Sequence, residues 1–446
     1  MKREYFDLIF KAAEERATAL GATFDIYYSG EESISAETFR KELASFSTGC
    51  EGTLVVRATV NGKTGAAQST CATPKEAALL LEKAVENAAL IEKEEQTHYG
   101  CGGLKYHEIE NPPFTMPSAA RIKQVAMDCR NAAYDSSGQI ADGTAGGAYA
   151  GINEIFLYSS KGLRLENRCG SGGAYVYSVI ERGEDRRDGF KGGYDLEKVP
   201  FEELAREARE KAEEKFGAGL VKSGRYPIVF EGKQMQQILS TFCSCFFARE
   251  AQLGTSLLKG KEGELIATEK LTLMDDPFYE GNPMKIAFDG EGTPTYTKAV
   301  IENGVLKTLL YNLESGAVAG KPSTGNGARS SASIGTKVFN FYIKPGDKSR
   351  EELLKMAEGG IFITQMKGFH AGANTVSGDF SIESEGFMIE NGRKGAPVKS
   401  FTVSGNFFDL LKDIAAIGDT IEDDAPGYTK IRCPDVYLPE MSIAGI

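Results

Sequence analysis

Three histidines serve the whole 446-residue chain, and only one of them stands in motif-dense sequence. His370 lies in Gly368-Phe369-His370-Ala371-Gly372-Ala373-Asn374, a Gly-bracketed loop that leads into Gly378-Asp379-Phe380-Ser381. An imidazole there could serve as a base or orient a peptide carbonyl. The plain alternative is a loop histidine bonded to its own backbone. Asn374 and Asp379 could share in substrate binding, yet Gly-Asp is also ordinary turn chemistry. A triad can be drawn from Ser381, His370 and Asp379, but closeness in sequence supplies no triad geometry. Cys243 and Cys245 form a second candidate. On a helix their thiols would point about 200° apart, which is poor for one shared ion. Phe242, Phe246 and Phe247 surround them, so buried packing thiols compete with a half-site completed by Cys433 or His370. A third candidate is Lys321-Pro322-Ser323-Thr324-Gly325-Asn326-Gly327-Ala328-Arg329. Its glycines would let backbone approach a ligand, and Arg329 could pair a peptide carboxylate. The same residues would also make a plain strand connection.

Other patterns fail on inspection. Gly62-Lys63-Thr64 resembles the end of a phosphate-binding loop, but Arg57 stands where the first glycine is needed. Gly100-Cys101-Gly102-Gly103 lacks the strand-to-helix setting of a dinucleotide site. His98 and His107 flank that loop and read as solvated. No His-Glu-x-x-His or His-Glu-x-x-x-His occurs anywhere.

These residues need elements to hold them. Tyr5, Leu8, Ile9, Ala12 and Ala13 recur at helical spacing over 2–20, and Gly21 closes that helix. Phe24, Ile26 and Tyr28 then alternate as a strand, a second alternating run covers 33–47, and 54–60 ends at the hairpin signal Asn61-Gly62. Thr73-Pro74 starts a helix expected to run to about Glu95. The pattern recurs with a helix at 118–135, strands at 152–159, 162–169 and 173–181, and a charged helix at 200–217, as two related helix-and-sheet units. Tyr226 to Phe230 reads as a buried strand, followed by one helix from Lys233 to about Glu250. Beyond it come short strands with Asp289-Gly290, Asn303-Gly304 and Asn391-Gly392 turns, and a helix from Ser349 with a capping box. The expected class is α+β: residues 1–220 as a helix-plus-antiparallel-sheet domain, and 221–446 as a mostly antiparallel, barrel-like β domain.

Composition narrows the function. With 41% hydrophobic and 26% charged residues the chain is globular. A net charge of -12 without a basic stripe makes nucleic acid a poor partner. No apolar run approaches the ~20 residues of a spanning helix, and the N-terminus lacks a secretory pattern. Eight scattered cysteines suit reduced cytosolic thiols. The expectation is a cytoplasmic protein without nucleic-acid or membrane partners.

The ordered series Tyr226-Pro227, Gly254-Thr255-Ser256, Leu273 with Asp275-Asp276-Pro277, Ser323 to Arg329, and Pro345-Gly346-Asp347 carries a family resemblance. It continues through Gly378-Asp379-Phe380-Ser381, Ser384-Glu385-Gly386-Phe387, Ile389-Glu390-Asn391-Gly392, Pro397-Val398 and Ser404-Gly405-Asn406. From Tyr226 onward the chain resembles the TldD/PmbA family, described both as modulators of DNA gyrase and as metallopeptidases. The TldD branch carries His-Glu-x-x-x-His on the helix after Tyr226-Pro227. Alignment on Gly254-Thr255-Ser256 puts Leu239, Ser240 and Ser244 at those positions, or Ser240, Thr241 and Cys245 with a one-residue slip. None of these sets suits zinc. The resemblance thus points to the metal-free TldE/PmbA branch. It implies a cytosolic complex in which a TldD-like partner brings zinc and unfolded or leader peptides are cleaved. This chain would bind no cofactor and would complete the chamber, holding peptide through Ser323, Thr324, Asn326, Arg329, His370, Asn374 and Asp379. An autonomous hydrolase using His370 or a thiol, and a non-proteolytic homodimeric binding protein, stay open beside it.

Overall fold

The computed structural model describes residues 1–92, 97–329, 333–422 and 429–446. Helix α1 (Arg3–Leu20) precedes three antiparallel strands, β1 (Thr23–Phe39), β2 (Glu42–Val60) and β3 (Lys63–Ser69), and helix α2 (Pro74–Ala89). The same order follows in α3 (Ala119–Asp135), β4 (Ala145–Ser159), β5 (Arg164–Arg182), β6 (Asp185–Gly193) and α4 (Phe201–Glu213). One six-stranded sheet results, ordered β3-β2-β1-β4-β5-β6, with β1 and β4 antiparallel at its centre. The two related units expected from the pattern are therefore present as mirrored halves of one sheet. Gly21 closes α1 in the left-handed conformation, and Thr73 caps α2 by accepting from the Glu76 amide.

Four local expectations change. The run expected over 33–47 is divided between two strands, because β1 continues to Phe39 and the hairpin falls at residues 40–41. The buried stripe of α1 is Phe6, Ile9, Phe10, Ala13 and Ala17, whereas Tyr5 and Leu8 are exposed, because the wider apolar face lies one residue away. Helix α2 ends at Ala89, and Glu95 lies outside the described residues. The strands expected at 162–169 and 173–181 are the single strand β5. Its glycines look like a break but make room for neighbours. A Cβ at Gly170 would lie 2.3 Å from the Phe114 ring, and one at Gly172 2.4 Å from Leu196.

In the C-terminal half, β7 (Gly219–Leu220), β8 (Gly224–Phe230), α5 (Gly232–Phe242) and α6 (Ala248–Leu253) come first. They are followed by β9 (Leu273–Asp275), β10 (Lys298–Glu302), β11 (Val305–Leu306), α7 (Leu313–Ala319), β12 (Gly327–Arg329), β13 (Ile334–Thr336) and β14 (Asn340–Ile343). The remaining elements are α8 (Arg350–Met356), β15 (Ile361–Lys367), α9 (Phe369–Gly372), β16 (Asp379–Glu390), β17 (Arg393–Asn406), α10 (Phe407–Asp413), β18 (Ala416–Ile417), β19 (Lys430–Arg432) and β20 (Val436–Ala444). Five of the strands pair in the circle β20-β8-β15-β16-β17 and back to β20, which closes a barrel. A ring this small has no room for a channel, and Ile228, Phe230, Ile361, Ile363, Ile382 and Val403 belong to its continuous apolar core. A second sheet, β11-β10-β9-β14-β19, stands beside it.

The helix expected from Lys233 to Glu250 is broken. Helix α5 tightens into a 3-10 turn at Cys243–Phe246, and the chain restarts as α6. Tertiary bonds fix the break: Ser256 Oγ donates to the Cys245 carbonyl at 2.6 Å, and Cys245 Sγ donates to the Thr375 carbonyl at 3.2 Å. Phe242 stacks on Phe407 with centroids 4.6 Å apart, so the inner face of this segment is sealed.

Candidate functional site

Chemistry collects along the seam between the six-stranded sheet and the C-terminal half. The loop Ser323–Arg329 is part of its floor. Thr324, Asn326 and Arg329 are buried, against the expectation that they line a peptide groove. Thr324 Oγ1 accepts from the Tyr311 amide at 2.8 Å and donates to Asn326 Oδ1 at 2.7 Å. Asn326 Nδ2 donates to Asp275 Oδ2 at 2.7 Å and to the Lys337 carbonyl at 2.9 Å. Ser323 Oγ donates to the Tyr311 carbonyl at 3.0 Å and accepts from the Gly325 amide at 3.1 Å. The polar atoms of these side chains are thus used inside the protein.

Arg329 corrects its expected role most clearly. Its side chain is wholly buried, and Nη2 lies 2.9 Å from Asp25 Oδ1 on β1. Arg57 on β2 also donates to Asp25, so one carboxylate receives two guanidinium groups from opposite sides of the seam. Burial alone would raise the Asp25 carboxyl, but Arg329 and Arg57 hold it below the ordinary range. Arg329 joins the two halves, and it is not free to meet a peptide carboxylate.

Two acids stand next to this pair: Asp289, expected only as part of an Asp289-Gly290 turn, and Glu291, for which no role was expected. Asp289 accepts from the backbone amides of Gly327 (2.6 Å), Glu291 (2.9 Å) and Thr293 (2.9 Å). Glu291 accepts from the Leu313 amide at 2.8 Å. Both crowd against Gly327, where a Cβ would fall 2.7 Å from Glu291 Oε2 and 2.9 Å from Asp289 Oδ2. The glycine that could have admitted a ligand admits these carboxyls instead. Burial, and then the neighbouring Asp289, push the Glu291 carboxyl up to about 8. Burial raises Asp289 too, against its three amide donors. Near neutrality Glu291 is thus a neutral acid able to donate a hydrogen bond. It opens onto a cleft of about 550 Å³ between the halves, lined also by Arg57, Thr64, Thr97, His98, Val318 and Ile334. The available signal was Asp289-Gly290-Glu291-Gly292, two acids each followed by glycine after an apolar run.

The second candidate group lies in a separate turn. His370 is exposed on the short helix α9, and among the described residues no hydrogen bond links it to Ser381 or Asp379. Asn374 Oδ1 accepts from the Val376 and Ser377 amides at 3.0 and 3.2 Å. Asn406 Nδ2 and Ser377 Oγ donate to Asp379 at 2.9 and 2.8 Å and hold its carboxyl below the ordinary range. Asn374 and Asp379 therefore build a turn, and the drawn triad is not assembled. His107 stacks on Phe278 with centroids 4.3 Å apart.

Helix α5 offers no donor set for a divalent metal. Leu239 is fully buried in the barrel core, Ser240 is exposed, and Ser244 falls in the 3-10 turn. With the alternative alignment, Thr241 Oγ1 bonds the Gln237 carbonyl and Cys245 bonds Thr375. Burial raises the thiols of Cys243 to about 11 and Cys245 to about 12, and raises that of Cys433, so none is poised as a thiolate ligand or nucleophile. Among the described residues no three His, Cys, Asp or Glu side chains converge on one point. No described helix is long and apolar enough to cross a membrane.

Comparison with known proteins places this geometry. Residues 223–445 match the model of the PmbA/TldA metallopeptidase C-terminal domain, and residues 111–216 match that of the central domain. A metalloprotease of Methanothermobacter thermautotrophicus is 31% identical over 69% of this chain and 68% of its own length. Metalloprotease PmbA of Escherichia coli is 22% identical over 100% of this chain and 97% of its own. A Thermotoga maritima structure described as a candidate modulator of a DNA gyrase superposes with a TM-score of 0.89 at 26% identity, covering 98% of this chain and 100% of the other. TldE of Thermococcus kodakarensis has the same fold, with a TM-score of 0.89 at 22% identity and the same two coverages.

Proposed function

Since the chain belongs to the PmbA/TldD metallopeptidase family, we propose that it is the metal-free, TldE-like subunit of a cytosolic two-subunit peptidase. A TldD-like partner supplies the zinc, and this chain completes the chamber and holds extended peptide, whether an unfolded segment or a leader. The observation that carries the reading is the apolar seal on α5. At the aligned ligand positions the chain has a core leucine, an exposed serine and a turn serine, while the surrounding fold is retained. A zinc site needs imidazole, thiolate or carboxylate donors converging on an open position.

The peptide-holding part of the proposal belongs to the cleft. A neutral Glu291 donor and the apolar Val318 and Ile334 suit a main chain presented without a fixed sequence, while the Thr64 and Thr97 hydroxyls bond each other on the cleft wall. Among the described residues each of the five barrel strands has a neighbour on both sides, so we assign peptide capture to the seam rather than to strand addition on the barrel.

The test is peptide hydrolysis by this chain, by a His-Glu-x-x-x-His relative, and by the two together, each with and without chelator. Chelator-sensitive cleavage in the mixture alone is expected. Cleavage by this chain alone would overturn the proposal. In the mixture, Val318→Trp, an exposed cleft position, should weaken peptide capture and leave zinc content unchanged.

A further inference from the structure

Charge is not balanced along the seam. Asp25 supplies one negative charge and meets two guanidinium groups, Arg57 from β2 and Arg329 from β12, so the trio carries a surplus positive charge. Arg329 is wholly enclosed, and Arg57 is the member that reaches the cleft wall. Nε and Nη2 of Arg57 donate to Asp25, and among the described residues Nη1 has no acceptor. The Tyr99 ring holds the guanidinium in place, with its centroid 5.2 Å from Cζ, and the Tyr99 hydroxyl is tied to Thr59 Oγ1 at 2.7 Å. A nearly buried cation with a nitrogen left over costs free energy until an acceptor meets it.

Glu291 stands on the same cleft. Its Oε2 accepts from the Leu313 amide at 2.8 Å, which leaves Oε1 to carry the acid proton, and among the described residues no acceptor meets it. Arg57 pairs with Asp25 and forms no ion pair with Glu291 among the described residues. The cleft therefore holds a guanidinium nitrogen and a carboxylic acid, each short of an acceptor. Its other polar groups are engaged or stand aside: Thr64 and Thr97 bond each other, Arg249 donates to Glu314 at 2.9 and 3.0 Å, and His98 is half-buried in the wall.

We infer that this cleft recognises a carboxylate, and that the carboxylate is the free C-terminal end of the bound peptide. One carboxylate oxygen accepts from Arg57 Nη1 and the other from Glu291. The single surplus charge decides among ligand classes. A phosphate would bring about two negative charges to a site that already holds Asp25 and Asp289, and an uncharged amide would leave the cation unmatched. Every unmodified peptide ends in one α-carboxylate whatever its sequence, which suits a cleft that reads no particular side chain. The rest of the peptide then leaves past Ala317 and the exposed Val318. This assignment rests on the seam being where peptide is held, and it adds which end is held.

The experiment is the fluorescence anisotropy of short labelled peptides, blocked at the amino end so that they differ only at the carboxyl end. They are mixed with the full chain, alone and with its His-Glu-x-x-x-His relative under chelator. The free acid should bind roughly tenfold more tightly than the C-terminal amide at pH 7, the weight of one hydrogen bond to a charged group. Arg57→Lys should abolish that preference. Because this change also disturbs a buried pair, Glu291→Gln supplies a second readout. Facing Glu291 are Asp289, Arg57 and Asp25, with His98 and Glu314 on the cleft wall. In the parent the preference should fade as pH rises through about 8, where Glu291 ionises and repels a carboxylate. In Glu291→Gln, whose amide still donates, it should persist at pH 9. Equal affinity for acid and amide overturns the inference and leaves the peptide-holding reading standing, whereas no binding of either peptide overturns both. An amide bearing one glutamate that binds as tightly as the free acid overturns the C-terminus as the source, in favour of an acidic side chain.

Discussion

The barrel core and the inter-half seam solve opposite problems with buried side chains. The barrel core is built from Ile, Val, Leu, Met and Phe, and Leu239 sits among them where a metal-bearing relative would need a ligand. The seam buries Asp25, Arg57, Arg329, Asp289 and Glu291 within one neighbourhood. Removal of a methylene from the barrel leaves a void. Removal of a charge from the seam strands its partner. The difference teaches that the helix named by the family resemblance turns an apolar face inward, while ionisable groups gather where the two halves meet.

The contrast can be broken most forcefully at Asp25. Asp25→Ala strands two buried guanidinium groups and should cost about 3–5 kcal/mol in urea unfolding. A loss below about 1 kcal/mol would mean that the seam is solvated, since that is the range of exposed ion pairs. In the barrel, Leu239→Ala should cost about 2–5 kcal/mol through lost burial and the residual cavity. Added salt should leave both losses nearly unchanged, because buried charges are screened far less than exposed ones.

Glu291 sharpens the comparison through pH. Its folded carboxyl is raised to about 8, above the ordinary glutamate value of about 4.3. Between these values the folded state holds a proton that the unfolded state has lost. The stability this group contributes is thus fully present below the unfolded value and is lost as pH rises through about 8. Glu291→Gln should remove that slope, so variant and parent converge at low pH and the variant is relatively more stable at pH 9. An unchanged slope would exclude Glu291 as the titrating group. The smallest effect belongs to His370→Ala: exposed and without a partner in the drawn triad, it should alter stability by less than about 0.5 kcal/mol and leave peptide cleavage by the mixture unchanged.

Much of the fold could be read locally. Caps, hairpin turns and alternation marked α1, the β2–β3 hairpin and the capping box of α8, because those signals lie within a few residues of one another. Long-range partners were hidden. Arg329 read as a ligand-pairing arginine because its acid is Asp25, three hundred residues earlier and in an ordinary strand pattern. The helix after Tyr226-Pro227 kept helical spacing through Cys245, so its break, made by Ser256 and Thr375, left no local mark. In β5, Gly170 and Gly172 looked like punctuation because the side chains lying over them, Phe114 and Leu196, come from elsewhere. The Ser323–Arg329 motif was visible as a motif, but its burial was not, since burial depends on the half of the chain that covers it.

Closure of the barrel also has a consequence for the order of events during synthesis. Strand β20 is held on one side by β8 and on the other by β17, and Arg225 and Glu440, which pair across the first of these joins, are 215 residues apart. The six-stranded sheet can form as soon as its own strands leave the ribosome, but β8, which meets β15 first, gains its second neighbour only when β20 has emerged. Until then β8 and β17 expose unmatched backbone. A chain stalled before residue 436 is therefore a natural target for chaperones and proteases, and the arrival of β20 decides whether the barrel survives.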